Sequence, residues 1–100
     1  MATFIVLGKL TDQGAKSLPN LRAFVEGNMA RGQSMGATVK SWYLTQGRYD
    51  IVVVAEAPDA ETMLAQGAGV AGTGMVRTET LRAFTLDEAE QVVKRISGAA

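Results

Sequence analysis

Two side chains able to handle a proton, Tyr49 and Asp50, stand together in QGRYDIVVVAE (residues 46–56), directly before the most apolar run of the chain. A carboxylate can act as a general base, and a phenol can donate a hydrogen bond to a developing oxyanion. Glu79 offers a second proton acceptor, and Trp42 and Tyr43 offer further donors. Together they would suffice for proton abstraction from an activated organic substrate in a dry cavity. Arg77, Glu79 and Arg82 in MVRTETLRAF (residues 75–84) form a second constellation, a strip suited to an anionic ligand.

Each of these residues also has an ordinary structural role. Gly47 suits a turn position with positive φ. Tyr49 can pack at a strand end with its hydroxyl in water. Asp50 can accept backbone N–H bonds and fasten its own turn or the neighbouring TDQG segment (residues 11–14). The charges of residues 77–82 can pair across strands at a sheet edge. Trp42 and Tyr43 are adjacent, so on a strand they point to opposite faces, one to the core and one to an interface or pocket.

Composition removes whole classes of chemistry. The 100 residues contain no cysteine and no histidine. Disulfides, thiolate nucleophiles, Cys/His zinc sites, His-ligated haem and a Ser-His-Asp relay are therefore excluded. No clustered Asp/Glu pattern suggests a Mg or Ca site, and no cofactor is expected. Ten basic residues balance ten acidic ones and are scattered along the chain, which argues against nucleic-acid binding. GAGVAGTG (residues 67–74) superficially suggests a phosphate loop. Its glycines, however, follow a predicted helix and precede a predicted strand, the reverse of the dinucleotide fingerprint, and no P-loop lysine is present. MATFIVLGKL lacks a signal peptide's basic start and long apolar core, and no run approaches the roughly 20 residues that span a bilayer. A cytoplasmic protein with no membrane partner is expected.

The elements that must position these residues follow from periodicity. Phe4 to Leu10 is apolar on both alternating faces, as a central strand is. TDQG breaks it, with Thr11 or Asp12 as a cap. Leu21, Phe24, Val25, Asn28, Met29 and Gly32 fall at helical spacing after Pro19. Thr38 to Thr45 reads as an edge strand, and RYDIVVVAEA (residues 48–57) as a second central one. PDAETMLAQGAGVAG starts another helix, expected to be short and loosened by its glycines, and MVRTETLRAF alternates as the other edge strand. TLDEAEQVVKRI closes the pattern as an amphipathic helix with Leu86, Ala89, Val92, Val93 and Ile96 on its stripe. Thr85 and Glu88 supply its capping box. This helix is expected to dock on the core, although it could instead bind a partner.

The order β-α-β-β-α-β plus a helix specifies one α+β domain over residues 1–100, a ferredoxin-like four-stranded antiparallel sheet with an extra C-terminal helix. Two helices cover only one face of such a sheet. The other would expose Ile and Val from both central strands, so a homodimer joined through the sheets is expected.

TDQG (11–14), YLTQGRYDIVVVAEAPD (43–59) and GMVRTETLRAF (74–84) closely resemble the GYD domain family, with Gly47, Tyr49 and Asp50 supplying the name. The resemblance spans nearly the whole chain. It implies a dimeric α+β barrel, a ferredoxin-like domain that pairs through its sheet, and no established biochemical role. The glycine content of residues 65–74 departs from that pattern. Two functions are compatible with the residues. One is a non-enzymatic homodimeric module that binds a small ligand or serves in an assembly. The other is a cofactor-independent oxygenase or isomerase using Asp50 or Glu79 as acceptor. The missing histidine, the commonest acid–base residue near neutral pH, favours the first. An RNA-recognition reading of the same topology fails for want of basic charge and an aromatic platform on the central strands.

Overall fold

The strands and the main helices follow in the order the sequence specifies. The computed structural model describes residues 1–98. β1 (Ala2–Leu10) leads through a short helix α1 (Asp12–Lys16) and a 3-10 turn (Leu18–Asn20) into α2 (Leu21–Ser34). Next come β2 (Thr38–Leu44), β3 (Ile51–Ala57), α3 (Ala60–Ala71), β4 (Val76–Ala83) and α4 (Leu86–Val93), the last extended by a 3-10 turn at Lys94–Ser97. The sheet runs β2-β3-β1-β4, and all three strand pairs are antiparallel. The two runs apolar on both faces thus occupy the centre, and the charged runs take the edges.

Register settles which side chains share a face. Val6 lies opposite Val53 and Thr80, and Phe4 opposite Ala55 and Arg82, so these residues face α2 and α3. Phe4, Ala55, Ala57 and Met63 form the buried centre of that layer, joined by Ala37. Leu7 lies opposite Val52 and Glu79, and Ile5 opposite Val54 and Leu81, so these occupy the other face. No helix covers it extensively. In β2, Lys40 is an extra residue: Val39 pairs with Ala55 and Ser41 with the next residue back, Val54, which marks a bulge.

Three elements differ from expectation. Pro19 lies in the 3-10 turn, and the α-helix begins only at Leu21. The glycine-rich segment does not shorten α3, which runs unbroken through Gly67 and Gly69 to Ala71. Gly69 is used for close approach, since a Cβ there would lie 2.9 Å from Arg31 Nε on α2.

The third difference corrects the expected docking of the C-terminal helix. α4 has extensive contact only with the 3-10 turn that continues it. Leu86 and Ile96 are each 85% exposed, and Val92 and Val93 are exposed with them. Its capping box is complete: the Glu88 amide donates to Thr85 Oγ1 at 3.2 Å, and the Thr85 amide to Glu88 Oε1 at 2.8 Å. Local signals therefore build the helix, but among the described residues no extensive contact draws it onto the core. At the junction before it, the contacts are made by Arg82. The Arg82 guanidinium lies 4.2 Å from the Phe84 ring centroid and 5.6 Å from that of Phe4. It also donates to the carbonyls of Thr3 (3.2 Å) and Ala83.

Candidate functional site

The three motif segments converge at the Leu10 end of β1. On one side, the Asp50 amide donates to Gly8 O at 2.8 Å, and Asp50 Oδ2 accepts from the Leu10 amide at 2.8 Å. The turn behind it is closed by Thr45, whose amide donates to Asp50 O (2.7 Å) and whose hydroxyl donates to Tyr49 O (2.6 Å). Gly47 takes φ 106° in this turn, a conformation that disfavours any side chain. On the other side of β1, the Thr11 amide donates to Met75 O at 3.0 Å and the Thr11 hydroxyl to Gly74 O at 2.7 Å. Thr11 Oγ1 in turn caps α1 by accepting from the Gly14 amide. Gly14 is where the segments touch most closely: a Cβ would fall 1.9 Å from Met75 O. TDQG, GRYD and GM therefore form one backbone clamp.

Tyr49 and Asp50 diverge from this clamp. The Asp50 carboxylate is occupied by a strand amide. Tyr49 reaches to the open side of the sheet, where its hydroxyl donates to Glu79 Oε2 at 2.9 Å and Lys9 Nζ lies 5.9 Å from its ring. The hydrogen bond to the Glu79 carboxylate, helped by partial desolvation and by the negative charge, holds the phenol above its ordinary pKa. A carboxylate beside the phenol opposes phenolate formation.

Arg77, Glu79 and Arg82 do not form the expected ion-paired edge. The ion pairs among the described residues are Arg22–Glu26 and Lys40–Glu56. Glu79 bonds the tyrosine, and Arg82 lies on the opposite sheet face from Arg77 and Glu79, stacked between two phenyl rings. A single anion cannot meet both arginines on one face. Trp42 and Tyr43 separate as strand neighbours do: Trp42 pairs with Val53 on the helix side, and Tyr43 with Val52 on the open side, 58% exposed.

An apolar hollow, partly open to solvent, lies elsewhere. A cavity of about 100 Å³ sits between the sheet and helices α2 and α3, walled by Val6, Val53, Phe24, Met29 and Val70 among others. Trp42 lines it, whereas Tyr43, Tyr49, Asp50 and Glu79 do not. Among its polar lining is Gln66, which the motifs gave no reason to single out. Gln66 Nε2 donates to Asn28 O at 2.9 Å, while its Oε1 is buried without a protein partner. Its only sequence signal was a polar residue on the inward stripe of α3. Among the described residues, no group of three acidic side chains is placed to hold a metal ion, and no helix is long and apolar enough to cross a membrane.

An antiparallel sheet with two helices on one face and a polar clamp at one end defines an α+β ferredoxin-like domain. The model of the GYD domain family matches residues 4–93, and the chain belongs to that family. It is also 42% identical over 85 residues to the glutamine synthetase and cystathionine beta-lyase binding protein of Thermus thermophilus, covering 84% of this chain and 90% of that one. No solved structure matches it.

Proposed function

We propose that the chain is a non-enzymatic binding module that associates with itself through its open sheet face and attaches to metabolic enzymes. The observation that carries the reading is that face. Ile5, Leu7, Val52, Val54, Leu81 and Tyr43 lie on the side of the sheet that α2 and α3 leave uncovered. A contiguous apolar patch of this kind marks an interaction surface. The relative's name supports protein partners, and glutamine synthetase and cystathionine beta-lyase are the enzymes to try first. The oxygenase or isomerase alternative needs Asp50 or Glu79 beside a bound substrate. Asp50 is engaged by the Leu10 amide, and neither carboxylate lines the apolar cavity. A small apolar ligand with one hydrogen-bond donor remains compatible with that cavity, because Gln66 Oε1 offers it an acceptor.

The direct test is binding of the purified protein to each of those two enzymes from its own source, measured by interferometry at micromolar concentration. Saturable binding to either one, weakened by Val54→Lys on the open face, is the expected result. Absence of binding to both would remove the enzyme-partner half of the reading. A monomeric mass in sedimentation would remove the self-association half.

A further inference from the structure

We propose that the hollow between the sheet and helices α2 and α3 is a binding site for a small neutral phenol, whose hydroxyl donates to Gln66 Oε1. The proposal rests on the ligand-compatible reading of that hollow given above. It depends neither on self-association nor on enzyme partners.

The space exists because a side chain that would fill it is missing. On α3, Met63, Gln66, Gly67 and Val70 recur at three- and four-residue spacing, and all four line the hollow. At Gly67 a Cβ would meet no heavy atom within 4 Å. Glycine weakens a helix interior relative to alanine, and here it leaves a gap on the face turned to the sheet. The volume of about 100 Å³ is far more than one water needs. Dry apolar cavities of roughly 150 Å³ hold benzene. This hollow is open on one side, so a ring of that size need not be wholly enclosed.

The lining defines the chemical class. Among the described residues none of the lining side chains is charged, so an ion would lose its hydration there without compensation. Gln66 fixes the polarity of the buried contact. Its Nε2 donates to Asn28 O at 2.9 Å, which orients the amide and leaves Oε1 as a buried acceptor that no protein group meets. Flipping the amide would set Oε1 against the Asn28 carbonyl. The occupant therefore has to bring a donor. Water brings one but leaves the apolar walls unpacked. Phe24 and Trp42 supply aromatic walls and Met29 and Met63 supply thioethers, partners that favour a ring over an alkyl chain. A phenol combines the ring, the single donor and neutrality at pH 7.

Trp42 gives the site its own reporter. With Val25 and Met29 it borders both the hollow and a shallow groove outside, beside Pro19 and Arg22. It is the chain's single tryptophan.

The test is titration of the purified chain with phenol, toluene and benzoate, followed by Trp42 fluorescence and by calorimetry. Phenol should saturate, toluene should bind about tenfold more weakly, and benzoate should not bind measurably. Gln66→Leu should erase the preference for phenol over toluene. Gly67→Leu should fill the gap and abolish binding of both, with the circular dichroism of the parent. If that variant fails to fold, the Gln66→Leu comparison decides alone. The site is overturned if phenol does not saturate at millimolar concentration, or if benzoate binds as tightly as phenol. Toluene binding as tightly as phenol, or a phenol preference that survives Gln66→Leu, would equally overturn it, since Oε1 would then be met by water. So would phenol binding unchanged in a folded Gly67→Leu chain, because the ligand would lie in the outer groove, whose walls do not include Gly67. Sedimentation and enzyme binding are measured separately, and each can fail without touching these outcomes.

Discussion

The two ends of β4 are held in opposite ways. At Val76 the strand emerges from a network of hydrogen bonds: Met75 O accepts from the Thr11 amide, Gly74 O accepts from the Thr11 hydroxyl, and Gly14 lies against Met75 O. At Ala83 it passes through one stacked arginine into a helix with no extensive contact beyond its own continuation. Both ends carry strong local signals, a threonine cap in TDQG and a capping box at Thr85. Local signals thus decide that an element forms, whereas close backbone approach decides where it stays.

The sharpest way to break this contrast is Gly14→Ala. The added Cβ meets a backbone oxygen, not a flexible side chain, so the clamp itself must shift. A loss of about 3 kcal/mol is expected, at the upper end for overpacked sites, or a drop of roughly 12 to 24 °C in melting temperature. A melt within a few degrees of the parent would show that the clamp is loose.

Asp50 comes next. Asp50→Ala leaves the Leu10 amide without its acceptor, at about 1–3 kcal/mol, while Asp50→Asn keeps one acceptor and should cost less. Urea unfolding of the three proteins gives the order. If Asp50→Ala is as stable as the parent, the fastening account fails and Asp50 becomes the first residue to test for chemistry.

The opposite end predicts a different signature. Thr85→Ala removes a cap worth about 1 kcal/mol to α4, but that helix has no extensive contact with its own core. Helical ellipticity should fall at dilution while the melting temperature of the sheet stays put. A matching fall in both would mean that α4 is docked after all. The cap also has a pH dependence. Donation from the Thr85 amide, the first cause, holds the Glu88 carboxyl below its ordinary value. Its contribution is present above the usual carboxylate pKa and is lost as pH falls through the lowered one. The α4 signal should therefore fade in acid, and Glu88→Gln should flatten that fading.

The smallest effect belongs to Tyr49. Ultraviolet titration of a Tyr43→Phe background should show a phenol ionising above the ordinary tyrosine value. Glu79→Gln should bring it back down. Because the folded pKa is raised, the associated stability is present at neutral pH and lost as pH climbs through the raised value. Equal titration in both proteins would remove the Tyr49–Glu79 bond from the description.

Much of this was legible in the residues. The central strands announced themselves because Phe4 to Leu10 and Ile51 to Ala57 are apolar at both alternating positions. Thr85 and Glu88 marked a helix start for the same local reason. The site was legible only in part. That Tyr49 would meet Glu79, 30 residues away, depends on a register that no local pattern sets. Arg82 read as an edge charge because alternation gives a side chain's face but not its neighbours, and the two phenyl rings come from different parts of the chain. Gln66 was invisible because nothing but tertiary packing makes one polar residue on an apolar stripe line a cavity. α4 misled because an amphipathic stripe specifies that a face will be buried, not by what.

The bulge at Lys40 has a consequence for how this protein avoids polymerising. A four-stranded sheet ends in two rows of unpaired amides and carbonyls, each a template on which another chain could add a strand and then another without limit. Here one border is kinked by an extra residue that carries an ammonium group paired with Glu56. The other border alternates Arg77, Glu79 and Arg82. Neither offers a straight, uncharged template. Growth by strand addition is therefore disfavoured on both sides, which leaves the open sheet face as the surface for the self-association proposed above.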